Sequence, residues 1–232
     1  MTDSIITRYQ NVKNRIHQAC LDAKRDPESV QLLAVSKTKP IEDIQILSKN
    51  GQKSFGENYV QESLTKIEIC PDVEWHFIGP IQSNKTKPIA EKFQWVHSVD
   101  RLKIAQRLSL QRPTDLPPLN ILLEVNISEQ ASKAGFSPQE VLEFAPQIAE
   151  LSNLNLRGLM AIPQQADTLE EQRKPFAKMH QLLKRLQQQY PDWHLDTLSM
   201  GMSGDLEAAI HEGATMVRIG TDIFGARDYS KT

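Results

Sequence analysis

Short apolar runs alternate along the chain with longer stretches whose apolar residues recur at helical spacing. Ile5, Val12, Ile16, Ala19 and Leu21 predict an opening helix, and RDPES at 25–29 breaks the pattern. QLLAVS at 31–36 then reads as a strand, and Pro40 suits the first turn of the helix after it. Further strands are predicted for KSFGE at 53–57, EWHFIG at 74–79, QWVHSV at 94–99 and NILLEVNI at 120–127. LRGLMAI at 156–162, DTLSMG at 196–201 and TMVRIG at 215–220 bring the number to eight. Between the later strands, helices are predicted near 138–150, 169–189 and 204–212, the last closed by Gly213 as its C′ residue.

Eight strand-helix units are the count of a (β/α)8 barrel, with an open doubly wound sheet as the alternative. The 232 residues suit one barrel domain over 1–232, because such barrels occupy roughly 200 to 250 residues as a single unit. The proline-rich QRPTDLPPLN at 111–120 is short enough for a helix-to-strand loop rather than an interdomain linker.

A composition of 39% hydrophobic and 24% charged residues places the chain among ordinary globular proteins. The net charge of -2, from 27 basic and 29 acidic side chains, offers no general attraction to nucleic acid or an anionic membrane. Cys20 and Cys70 form no Cys-x-x-Cys pattern and read as reduced, mostly buried thiols. MTDSIITRYQ lacks the pattern of a signal peptide, and no run approaches the roughly 18 apolar residues of a membrane span. A cytoplasmic protein is expected. The six histidines show no metal-ligand spacing, and neither a Walker loop nor a Gly-x-Ser-x-Gly elbow occurs.

In such a barrel the chemistry sits at the C-terminal ends of the strands. Lys37, Asn58, His76, the Gly79-Pro80 turn, Asn126, Met160, SMGMSG at 199–204 and Arg218 all close or follow a predicted strand. Lys37 shares a strand face with Leu33 and Val35, so it points at the barrel mouth if that face lines the interior. It reads either as a desolvated lysine able to act as a base or condense with an aldehyde, or as a lysine snorkelling from a strand end. Lys39 reads as its solvated neighbour.

SMGMSGDLEAAIHEG can present amides and hydroxyls to a phosphate, although Ser203 also suits a plain N-cap, and Asp205 and Glu207 must face away from any anion. Arg218 inside an apolar strand needs an acceptor, and Gly220 and Thr221 follow it. Phosphate sites after the seventh and eighth strands recur in this fold. A phosphate cradle, a guanidinium and a lysine at one mouth suggest a small phosphorylated aldehyde, of which pyridoxal 5′-phosphate (PLP) is one. A phosphosugar-binding barrel without covalent attachment is the alternative.

At LLAVSKTKP, FGENYVQE, EWHFIGPIQSNK, RGLMAIP, SMGMSGDLEAAI and MVRIGTDIFGARDYS the sequence resembles the pyridoxal phosphate homeostasis proteins, through nearly the whole chain. The resemblance implies an alanine-racemase-like (fold type III) barrel with PLP bound as an internal aldimine to Lys37. It implies phosphate contacts around Ser199, Ser203, Gly220 and Thr221, Arg218 at the pyridine nitrogen and Asn58 near the ring. Gly204 stands where this family often carries an acidic residue. Because an arginine does not protonate the ring nitrogen, the resemblance implies a monomeric cofactor carrier or regulator rather than a turnover enzyme, with PLP-dependent apoenzymes as recipients. Racemases of this class add a second domain carrying a catalytic tyrosine, and the chain ends at Thr232 soon after the eighth strand. A small amino-acid racemase or lyase on the same site is the alternative. Lys133, after the fifth strand, is a further lysine without an assigned role.

Overall fold

A computed structural model describes residues 4–130 and 133–226. Residues 1–3 of the opening MTDSIITRYQ and residues 227–230 of the GARDYS motif lie outside them.

The barrel prediction holds, and the open sheet does not occur. Eight parallel strands close on themselves in sequence order, β1 pairing with both β2 and β8. The strands are β1 (Gln31–Val35), β2 (Ser54–Glu57), β3 (Glu74–Phe77), β4 (Trp95–Val99), β5 (Leu119–Glu124), β6 (Leu154–Met160), β7 (Thr197–Ser199) and β8 (Met216–Ile219). Parallel neighbours need a crossover, and helices supply it. These are α2 (Ile41–Lys49), α3 (Val60–Ile69), α4 (Thr86–Lys92), α5 (Leu102–Gln111), α6 (Pro138–Ala149), α7 (Leu169–Gln189) and α8 (Leu206–His211), between α1 (Ile5–Asp22) and α9 (Thr221–Phe224).

The helices are specified locally. Ser137 and Glu140 form a reciprocal capping box at the start of α6, with Pro138 in the first turn. In α1, Ser4 accepts from the Thr7 amide, and Tyr9, Val12, Ile16, Ala19 and Cys20 make the buried stripe. Leu21, expected on that stripe, is rotated off it and is 49% exposed. α1 packs against α8 and α9, closing the seam where the last units meet the first.

Strand alternation gives the barrel two separate apolar regions. Outward-facing residues such as Ala34, Phe55, Phe77, Val96 and Leu198 join the helices in one continuous core. Inside, Trp95, Leu122 and Met160 form a small cluster of their own. Gly56 keeps this interior open: a Cβ there would come within 3.1 Å of Ile78 and 3.2 Å of Leu33. Much of the remaining interior is polar, with His76, His97, Ser199 and Arg218 all buried. Among the described residues, no helix is long and apolar enough to cross a membrane.

Candidate functional site

Lys37 is half-buried just past the end of β1 and lines a cavity of about 170 Å³ at the C-terminal mouth. Val35, two residues earlier on the same face, lines it as well, as the period of two requires. Asn58 enters from the end of β2, Ser203 from the loop after β7, Arg218 from β8, and Gly220 and Thr221 from the turn into α9. Residues spread over most of the chain thus share one cavity. His76 and Met160, also nominated as strand-end residues, lie wholly inside the barrel instead.

Ser199 departs from its expected place in the phosphate cradle. It pairs with Met216 in the β7–β8 register, one pleat below Arg218, and is fully buried. Its hydroxyl lies 2.8 Å from Arg218 Nη1 and 3.0 Å from His97 Nδ1, so it supports the arginine rather than the cavity wall. Arg218 Nη2 donates to the Ala161 carbonyl at 3.0 Å. Burial lowers its pKa to about 10 against the opposing pull of Asp205 and Glu124, which leaves it a cation at neutral pH.

A buried clamp fixes the peptide on both sides of Lys37. Lys66 of α3 donates to the Ser36 carbonyl at 2.8 Å, to Glu57 Oε1 at 2.8 Å and to Glu62 Oε1 at 2.5 Å. The Ser36 hydroxyl reaches Glu57 Oε1 at 2.6 Å, and the Thr38 amide donates to Glu62 Oε1 at 2.7 Å. Thr38 adopts φ of 62°, left-handed for a β-branched residue, so the backbone beyond Lys37 is held in a conformation it would not choose alone. Burial raises the pKa of Glu57, with Lys66 and Ser36 acting in the opposite direction.

The loop after β7 is also tied from outside. Asp205, not Ser203, occupies the N-cap position of α8, and its carboxylate accepts from the Met202 amide at 2.6 Å. Arg15 of α1 donates to the Ser203 carbonyl at 3.1 Å and binds Glu207 at 2.9 Å and Asp222 at 2.5 Å. Asp205 and Glu207 are therefore both directed at protein partners, and Ser203 is not the N-cap of α8. Lys39 is not a merely solvated neighbour: its ammonium donates to the carbonyls of Phe224, Gly225 and Ala226 at 3.3, 3.0 and 2.9 Å and borders the cavity. Lys133 donates at 3.1 Å to the carbonyl of Ile162, a residue that lines the same cavity as Lys37.

Sequence reasoning missed Glu57, Lys66, Arg15 and His97. The signal available for Glu57 was a carboxylate at the end of an apolar strand, which demands a partner. The i,i+4 spacing of Glu62 and Lys66 was visible too, but reads equally as a solvated helix pair. Among the described residues no group of three or more His, Cys, Asp or Glu could hold a metal ion. Cys20 is buried and Cys70 half-exposed, both free thiols.

Residues 9–228 match the family described as alanine racemase, N-terminal domain. The chain is 56% identical over 228 residues to the pyridoxal phosphate homeostasis protein of Pseudomonas aeruginosa, covering 97% of each. It is 52% identical over 234 residues to that of Escherichia coli (strain K12), covering 99% of each. The chain belongs to the pyridoxal phosphate homeostasis protein family. A solved structure of PipY from Synechococcus elongatus PCC7942 with PLP bound is 37% identical, with a TM-score of 0.79, and covers 90% of this chain and 100% of that one. In this family member the cavity has two features that suit such a guest. Asn58 Oδ1 is buried without a hydrogen-bond partner among the described residues, and a Cβ on Gly220 would sit 3.3 Å from the Val35 carbonyl oxygen.

Proposed function

We propose that this protein binds PLP at the barrel mouth and buffers or delivers it within the cell, serving vitamin B6 homeostasis and, through it, amino-acid balance. The observation that carries the reading is the convergence of Lys37, Asn58, Ser203, Arg218, Gly220 and Thr221 on one cavity. The PLP-bound relative supports it.

Each residue has a task that its chemistry suits. Lys37 anchors the aldehyde carbon covalently as a Schiff base, its backbone held by the Lys66 clamp so that Nζ faces the cavity. Ser203 and Thr221 offer hydroxyls, and Gly220 a close backbone approach, to the phosphate. Asn58 directs its amide group at the ring substituents, and Arg218 donates to the ring nitrogen. When bound, PLP supplies an electrophilic aldehyde and an electron-withdrawing ring. Arg218 stays protonated and gives no proton to that ring, which weakens carbanion chemistry and favours carriage over turnover. The reading takes residues 1–232 as a single cytoplasmic, monomeric barrel domain, with PLP-dependent apoenzymes as recipients.

Borohydride reduction of PLP-loaded protein followed by peptide mass mapping tests the anchor. The pyridoxyl label is expected on Lys37 and is lost in Lys37→Ala. A label on Lys39 or Lys133 alone, or none, overturns the assignment. Steady formation of D-alanine by the pure protein overturns the carrier reading in favour of a racemase.

A further inference from the structure

A buried imidazole flanked by partners at both nitrogens has its proton assigned by those partners. Glu74, the first residue of β3, ends a row of such groups that crosses the barrel interior. Its carboxyl is held down to about 2, chiefly by its bond to His76, so it accepts only. His76 Nε2, 2.8 Å away, therefore carries hydrogen, and burial keeps the ring neutral with Nδ1 as acceptor. His97 Nε2 lies 2.9 Å from that nitrogen and must donate to it. His97, also neutral through burial, then accepts at Nδ1 from the Ser199 hydroxyl at 3.0 Å. Ser199 in turn accepts from Arg218 Nη1 at 2.8 Å.

With both rings neutral, this is the one assignment that pairs every nitrogen. All donors point the same way, from the guanidinium at the C-terminal mouth to a carboxylate at the other end of the strands. That carboxylate is 40% exposed at its side chain, while the links between are buried. The Ser54 hydroxyl gives Glu74 a second donor at 3.0 Å, and Gln31 extends the row at 2.7 Å. The other charges acting on Arg218 come from the end of β5, Glu124, and the start of α8, Asp205; Asp100 acts on Glu124, and Lys37 faces the same cavity from β1.

We propose that Glu74, His76, His97 and Ser199 are positioning residues for Arg218, a one-way hydrogen-bond chain that fixes the guanidinium at the cavity and couples its donor strength to a carboxylate at the opposite end of the barrel. The chain makes Ser199 a stronger acceptor than a lone hydroxyl, because hydrogen bonds in series polarise one another in a low-dielectric interior. The functional half rests on the PLP reading, in which Arg218 meets the ring nitrogen. Outer partners of this kind orient and tune the groups that touch a cofactor.

Two measurements test it. In the full chain without cofactor, long-range ¹⁵N–¹H histidine spectra at pH 7 are expected to show His76 and His97 neutral and protonated at Nε2. An Nδ1–H tautomer or an imidazolium at either ring overturns the chain. The second is a PLP titration, read by the absorbance of the imine, on wild type, Glu74→Gln, His97→Asn and the double variant. Glu74→Gln keeps an oxygen for His76 and removes the charge, and a loss of roughly three- to tenfold in affinity is expected. In the His97→Asn background the same change is expected to have no effect, because the chain is already cut. Equal losses in both backgrounds overturn the proposal. Should His97→Asn not fold, Ser199→Ala cuts the chain at its other end and is read the same way. A wild type that takes no PLP overturns the cofactor reading and the coupling together, whereas a wild type that binds while Glu74→Gln matches it overturns the coupling alone.

Discussion

Replacing Lys66 with methionine probes how the backbone around Lys37 is held. The Lys66–Glu57 pair is almost fully removed from water, with side-chain exposures of 7% and 0%. The substitution strips Glu57 of its one cationic partner among the described residues, takes the ammonium donor from the Ser36 carbonyl and leaves Glu62 with the Thr38 amide alone among the described residues. Breaking a buried pair by removing one member costs about 3–5 kcal/mol, because an uncompensated charge stays behind. Most of that range is the stranded Glu57 charge and the lost charge-assisted bonds, about 1.5–3 kcal/mol for each bond, since the Ser36 carbonyl keeps the Lys39 amide as a donor at 3.0 Å. Urea unfolding at pH 7 should show the loss as a lowered midpoint at unchanged slope. Charge rather than packing is the cause, and pH separates the two. Glu57 already has a raised pKa through burial, and losing Lys66 raises it further. A carboxyl that binds its proton more tightly folded than unfolded loses stability as pH rises, so the deficit of Lys66→Met should shrink as pH falls. Adding Glu57→Gln should recover on the order of 1–3 kcal/mol by removing the stranded charge. A deficit that is independent of pH and unrelieved by Glu57→Gln would refute the reasoning.

The remaining outcomes are simpler. Gly79→Ala should cost about 1–3 kcal/mol, as overpacking does, since its Cβ would collide with the Asn58 carbonyl oxygen and lie 2.7 Å from Asn58 Cα. It should weaken PLP binding as well, and an unchanged melting temperature would rule the collision out. Acid should destabilise the protein in two stages. His76 and His97, depressed by burial below the ordinary value of 6.5, favour folding fully only above that pH and withdraw support as it falls. Each contributes a slope of up to about 1.4 kcal/mol per pH unit while it stays neutral in the fold. Glu74, depressed from 4.5 to about 2, adds its loss between those values. Urea midpoints that stay flat from pH 7.5 to 5 would contradict the neutral histidines.

Much of the fold was legible because its signals are local. QLLAVS alternates faces with period two, and Val35 in the observed strand and Lys37 just past its end line one cavity, as that period demands. Ser137 with Glu140, and the long apolar stripe of α7, mark helices without reference to anything distant. Leu21 shows what a loose reading of spacing costs: at about 100° per residue it lies on the face of α1 opposite Val12, off the stripe of Tyr9, Val12, Ile16, Ala19 and Cys20.

The candidate site divides in the same way. A lysine, an arginine and a glycine at strand ends could be nominated one by one, because a barrel sends every strand end to one mouth. Ser199 could not be assigned from its neighbours, since one pleat of register on β7 separates a phosphate ligand from a support for Arg218. The sequence alone determined the alternation of strands and helices and the residue types gathered at one face, both properties of short stretches. Only the tertiary structure decided which charges are paired, because Lys66 and Glu57, Arg15 and Ser203, and the row from Glu74 to Arg218 owe their bonds to barrel closure. Closure also removed water from those groups, and the worth of a charge or a hydrogen bond follows from the water it has lost.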